Sequence, residues 1–360
     1  MSRLSKSVLA GFAVLPFLSL GVSAAAQAAT VSLTGAEALQ QFNLVVLGDA
    51  SSNSHVDGRA WIGGSLTGGD YVQHVGSTPA SSYAGLTVMG SASNVHVNGL
   101  GSYIGGSFTN STVNSGSSYI VGAVSNSNLN GSAYVTGSTS GTNFNGGRPS
   151  TPSTLMQTNA DAATSTNFGS TLGTLSNTLK SAVANSTVSI TGNKATFTAV
   201  ANSSGVAVFN LDNTTSASVF SAGEFSFAAN GASTIIINSS VSSAVIGANF
   251  LGGQAQSLGS SILWNFYNAT SLTINNQFGG SILATHASLT NNQNIEGGVF
   301  VNSLTQNGEL HLQSFTGNLS AVAPVPEPEE YLLMVAGLIV VVGVAALRRR
   351  RLAAPAMLAA

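Results

Sequence analysis

The chain has 360 residues, enough for one large domain or two ordinary ones, with 43% hydrophobic residues, 6% charged residues and a formal net charge of -2. That composition excludes a disordered polyelectrolyte, and so few cations, without a cluster in the body of the chain, exclude a nucleic-acid surface. The absence of cysteine excludes disulfides, structural thiolate zinc and thiol chemistry.

The first element in chain order is an address. Arg3 and Lys6 precede a mostly apolar run from Val8 to Leu20, and small residues follow from Val22 to Ala29. Charged, apolar and small-residue regions in that order predict a secretory signal peptide over residues 1–29, cut by signal peptidase between Ala24 and Ala29.

Residues 30–321 form the body. Gly, Ser, Thr and Asn are interrupted by short apolar pairs, with no helical period before about Thr154. A repeat is visible in Val56-Asp-Gly-Arg-Ala-Trp-Ile, Val97-Asn-Gly, Val113-Asn-Ser-Gly, Leu129-Asn-Gly and Phe144-Asn-Gly-Gly, the last four anchors stepping by 16, 16 and 15. Such a step predicts a β-solenoid with one or two short strands per coil. The Asn or Asp after each anchor is read as a corner residue that bonds neighbouring backbone and tolerates left-handed geometry. The glycines then serve turns, since no helix follows Gly63-Gly64 as a phosphate loop would need.

Met156, Ala160, Ala163, Phe168, Leu172, Leu175, Leu179 and Val183 recur at spacings of three to five, predicting one amphipathic helix over about 153–184, capped by Ser153 and packed on the solenoid flank. Strands resume after Asn185, among them Val206 to Leu211, Thr234 to Asn238, Ile262 to Phe266, Val299 to Val301 and Leu310 to Phe315. Several are apolar at consecutive positions, as strands buried on both faces are. The fold class is mainly β: an irregular β-solenoid with one long helix alongside.

A second address closes the chain: a Pro/Glu linker over 322–330, an uncharged run over 331–347 predicted to be a transmembrane helix, and a basic tail over 348–360. Arg348, Arg349, Arg350 and Arg351 orient that helix with its end in the cytoplasm, so the body lies on the far side of the membrane. The order resembles the PEP-CTERM sorting signal of Gram-negative bacteria. That resemblance implies that Pro326, Glu327 and Pro328 are recognised by an exosortase, a membrane-embedded cysteine transpeptidase, and that the protein is anchored transiently before reaching the cell surface or extracellular matrix.

Two stretches resemble the choice-of-anchor A family of bacterial surface proteins: Phe42 to Asp49 with His55 to Gly64, and Ile262 to Phe266 with Gly280 to Ala284, Asn294 to Gly298 and Gly308 to His311. The resemblance implies an ice-binding-like adhesive domain over roughly Val31 to Leu319, an irregular β-solenoid flanked by a helix.

Two groups of residues are weighed for chemistry. Asp49, Asp57 and Asp70 lie close in sequence with His55 near Asp57, but Asn98, Asn114, Asn130 and Asn145 take the place of Asp57 in later repeats, which favours a structural corner. His311 with Glu309, Glu296 and His286 lacks a His-x-x-x-His or comparable ligand spacing. No catalytic residue, metal ligand or cofactor is expected. The expected function is a non-catalytic adhesin, or a structural protein of the biofilm, that holds exopolysaccharide or a neighbouring cell. The alternatives are a polysaccharide-processing solenoid enzyme using Asp57 or Glu309, and an ice- or carbohydrate-binding module, although flat Thr-x-Thr ranks are not visible in the sequence.

Overall fold

The computed structural model describes residues 32–322. The signal peptide expected over residues 1–29, the Pro326-Glu327-Pro328 motif, the 331–347 run and Arg348 to Arg351 lie outside them. Among the described residues no helix is long and apolar enough to cross a membrane.

The 16-residue repeat folds as a triangular coil with three strands, one more than the sequence suggests. In one coil these are Ser102–Ile104, Phe108–Thr109 and Thr112–Val113. Ile104, Phe108 and Val113 point into the coil and are buried, while Tyr103, Thr109 and Thr112 face outward. The next coil places Ile120, Val124 and Leu129 beneath them in parallel register, so each apolar residue stacks on its equivalent. A two-residue strand such as Phe108–Thr109 is too short to show alternation, which hides the third side from sequence.

The left-handed corner falls elsewhere than expected. Asn94, Asn110 and Asn126 adopt φ of 57°, 52° and 49° between the second and third sides, and Gly68 and Gly141 occupy the same corner in flanking coils. The asparagines after the anchors instead form ladders: Asn114 donates to Asn98 at 2.8 Å and Asn145 to Asn130 at 2.7 Å.

The coils do not stack in chain order. The first side runs, from one end to the other, through Val206–Leu211, Thr234–Ser239, Ile262–Phe266, the starts of Ser281–Asn291 and Val299–Gln306, then Leu44–Val46, Ala60–Ile62, Leu86–Val88, Ser102–Ile104, Ser118–Ile120 and Ala133–Val135. At the usual strand separation these eleven strands make a rod of about 50 Å. The chain enters in mid-rod, builds to one end at Phe144, crosses to the other end and returns until its last coil seals against its first. Where the rod starts again, Thr187–Thr191, Lys194–Thr198, Glu224–Ala228 and Asn249–Phe250 form a separate small sheet. Its Phe197, Phe225, Phe227 and Phe250 surround Trp264 at ring distances from 5.7 to 6.5 Å.

Helices cover the first side: α1 (Gly35–Gln41), α2 (Thr154–Ala163) and α3 (Phe168–Lys180). Two helices therefore replace the single one expected over 153–184. The backbone leaves helical geometry after Ala163, where the Trp61 indole N–H donates to the Ala163 carbonyl at 3.2 Å, and Asn167 caps a new helix by accepting from Ser170 N at 3.0 Å. Met156, Ala163, Phe168, Leu172 and Leu179 are buried as expected, whereas Val183 is exposed. Phe168 fixes the join by packing against Phe42, Trp61 and Tyr83.

Candidate functional site

The register of the second side aligns residues that are scattered in sequence. From end to end, Thr273, Thr290, Thr305, Ser51, Thr67, Ser93, Thr109, Ser125 and Ser140 stand one above another, each partly or fully exposed. A second rank runs beside it. Ser271, Ser288 and Ser303 are in register, and Ser65, Ser91 and Ser107 continue the rank, with Ser65 N donating to Asp49 Oδ1 at 2.7 Å and Ser107 N to Ser91 Oγ at 3.0 Å. Asp49 is the one ionisable group in the two ranks. Along the seam between first and last coils lies a shallow groove of about 440 Å³, lined by Asp49, Ser51, Ser65, Thr67, Ser288, Thr290, Ser303 and Thr305. An asparagine ladder borders the face, Asn53 donating to Asn307, Asn307 to Asn292 and Asn292 to Asn275.

These ranks were not legible in sequence. Thr305 and Ser51 become neighbours only when the ends of the domain meet, and Thr67 and Ser93 are separated by a coil carrying an insertion.

The same seam merges the two groups weighed for chemistry. On the third side His55–Val56 of the first coil lies beside Leu310–His311 of the last, with Ile295–Glu296 one coil further. Asp57, 3% exposed, has Oδ1 3.6 Å from His55 Nε2, and its Oδ2 accepts from Leu312 N at 3.0 Å. His55 Nδ1 is 3.7 Å from Glu309 Oε1. His311 lies between two carboxylates, with Nδ1 2.8 Å from Glu296 Oε1 and Nε2 2.8 Å from Glu309 Oε2. Glu296, 2% exposed, also accepts from Gln277 and Gln313.

Sequence reasoning missed His74. It lies on the insertion between the first two repeats, which Arg59 holds by donating to the carbonyls of Pro79, Tyr83 and Ala84; burial lowers the Arg59 pKa to about 10. His74 Nδ1 reaches Asp57 Oδ2 at 3.1 Å, closing an open depression of about 460 Å³ with His55, Asp57, Glu309 and His311. Asp70 instead pairs with His96 at 2.8 Å, and His286 is an exposed residue at the irregularity between Ala284 and Ser288.

The electrostatics follow from this packing. Burial works against the charged His311 ring, but the bonds to Glu309 and the charge of Glu296 outweigh it, and the His311 pKa is raised. The hydrogen bond from His311 is the main cause of a lowered Glu309 pKa. Glu309 is thereby held as a carboxylate, the reverse of what a general acid needs at neutral pH.

The family described as "Putative Ice-binding-like adhesive domain" matches residues 35–312, which is most of the chain. This protein belongs to that family. Its matched span runs from α1 to His311, and so includes both the hydroxyl ranks and the seam cluster. No curated protein and no solved structure matches the chain.

Proposed function

We propose that this protein is an exported, non-catalytic bacterial adhesin whose Ser/Thr side grips a neutral, hydroxyl-rich surface such as the exopolysaccharide of a biofilm matrix. The rank from Thr273 to Ser140 is the observation that carries this reading, because stacked strands repeat a donor and acceptor about every 4.8 Å along a rigid rod. Many neutral hydrogen bonds, each contributing little alone, sum along such a surface. Membership of an adhesive family and the near absence of charge support it. The signal peptide and the PEP-CTERM-like tail belong to the same proposal: export across the inner membrane, brief anchoring, and processing by exosortase at Pro326-Glu327-Pro328. Choice-of-anchor A membership accounts for that combination of adhesive body and sorting tail.

The regular rank also favours a second reading, an ice-binding face. The polysaccharide-processing alternative has less support, because Glu309, Asp57 and Glu296 are each tied into the hydrogen-bonded cluster.

The experiment is co-sedimentation of the full-length protein with exopolysaccharide purified from the producing cells. Wild type is compared with a variant carrying Thr67→Lys, Thr109→Lys and Thr305→Lys. Outward substitutions leave the core untouched, so a folded variant with at least tenfold weaker binding supports the adhesive face. Equal binding by both removes that face from the reading, thermal hysteresis by wild type alone moves it to ice, and release of shorter sugars replaces it with an enzyme.

A further inference from the structure

The cluster at the seam has a composition that adhesion through the Ser/Thr side does not use. We propose that His55, Glu309 and His311 bind one divalent transition-metal ion of the zinc class, joining the first coil of the solenoid to the last. One donor atom from each of the three lies within 4.8 Å of the others. Zinc held at about 2.0–2.1 Å by nitrogen and oxygen keeps its ligands roughly 3.3 Å apart. At present His311 Nε2 is 2.8 Å from Glu309 Oε2, His55 Nδ1 is 3.7 Å from Glu309 Oε1, and the three donors lie within 4.8 Å, so side-chain rotations of up to about 1.5 Å draw them onto one ion.

The surrounding groups orient the ligands as outer partners of a metal site do. Glu296 is buried, fixed by Gln277 and Gln313, and engages His311 Nδ1, which leaves Nε2 as the atom facing Glu309. A carboxylate behind a ligating imidazole sets its tautomer and raises its basicity. Asp57 lies behind His55 at longer range, its Oδ1 3.6 Å from Nε2, while Nδ1 faces Glu309. Two imidazoles and one carboxylate suit zinc and its neighbours and do not suit calcium, which prefers oxygen. Glu309 and the two histidines are half-buried and border the open depression, so the ion reaches its ligands from solvent and retains a position for water or for a donor from a partner.

The test uses untagged full-length protein, dialysed against zinc chloride and then buffer, with bound metal measured by mass spectrometry and melting followed with and without zinc. The expected result is one ion per chain and a raised melting temperature, both lost in His55→Gln and Glu309→Gln. Glu296→Gln, whose carboxylate would lie behind the ligand, weakens binding by about 10–100-fold without abolishing it. Circular dichroism of His55→Gln, a half-buried change, separates lost ligation from lost folding. The proposal is overturned by zinc binding that is absent from folded wild type, by binding unchanged in both His55→Gln and Glu309→Gln, or by calcium binding in place of zinc. Nitrogen NMR showing two protons on the His311 ring in the presence of excess zinc overturns it as well.

Discussion

Asn43 Nδ2 donates to the carbonyl of Gly297 at 3.1 Å across 254 residues of sequence, and the same amide donates to the His311 carbonyl at 3.1 Å. Its Oδ1 accepts from Gly58 N at 3.0 Å, so one side chain, 1% exposed, ties the first coil to the last two. Asn43→Ala strands the buried Gly58 N–H and Gly297 carbonyl, whereas the His311 carbonyl keeps its bond from Gln313 N at 3.0 Å. Loss on the order of 2–4 kcal/mol is expected, from about 1–3 kcal/mol per stranded group with partial relaxation. Urea unfolding checks it, and a change below about 0.5 kcal/mol would mean that the seam is held by other contacts.

A second buried ladder holds the helices. Asn265 donates to Ser176 O at 2.9 Å and to Asn238 Oδ1 at 2.8 Å, while Asn238 donates to Leu179 O at 2.7 Å and to Asn210 Oδ1 at 2.8 Å. These three asparagines are in register on the first side; Asn265 and Asn238 reach carbonyls in the last two turns of α3, and Asn210 donates to the Ala182 carbonyl just past its end. Asn265→Ala should cost about 2–4 kcal/mol by the same reasoning. It should also accelerate hydrogen exchange selectively in Phe168–Lys180 relative to Ser102–Ile104. Uniform acceleration across both would show that α3 does not depend on the ladder.

The solenoid was legible because coils of near-constant length bring Val97, Val113 and Leu129 back to one interior position, a period that local propensity does not obscure. Its circuit was not legible. No periodicity in Leu44–Val46 or Val299–Gln306 states that these segments pair, since a strand buried on both faces has the same composition against any neighbour. The site suffered from the same blindness. In sequence Asp57 reads as a corner that Asn replaces in later repeats, and Glu309 with His311 lacks ligand spacing; only closure of the rod brings them together. His74 had no signal at all, because an insertion of polar residues positions it.

Close stacking restricts what the corners can carry. A Cβ added to Gly131 would overlap the carbonyl oxygen of Gly116 in the coil below, and backbone cannot move aside as a flexible side chain can. Gly131→Ala therefore forces neighbouring coils apart. A loss of about 1–3 kcal/mol is expected, as for other overpacked sites. Gly173→Ala is the control, since nothing lies within 4 Å of its Cβ and alanine favours a helix by about 1 kcal/mol. Paired thermal melts should shift in opposite directions, and a matching shift would remove coil contact as the explanation.

Glu37 predicts how acid acts on the helical layer. Its carboxylate accepts from Thr34 N and Thr34 Oγ1, both at 2.8 Å, while Thr34 Oγ1 accepts from Glu37 N at 3.3 Å, a reciprocal cap on α1. The backbone bond from Thr34 is the main reason that the Glu37 pKa lies below its ordinary value of 4.5. A carboxyl group with a lower pKa folded than unfolded binds fewer protons when folded, so its contribution is present above the ordinary value and fades as pH falls through the folded value. Glu37→Gln retains an acceptor but does not titrate, so its melting temperature should converge with that of wild type toward pH 3 and fall below it at pH 6. A gap that persists undiminished at pH 3 would assign the difference to side-chain shape and not to charge.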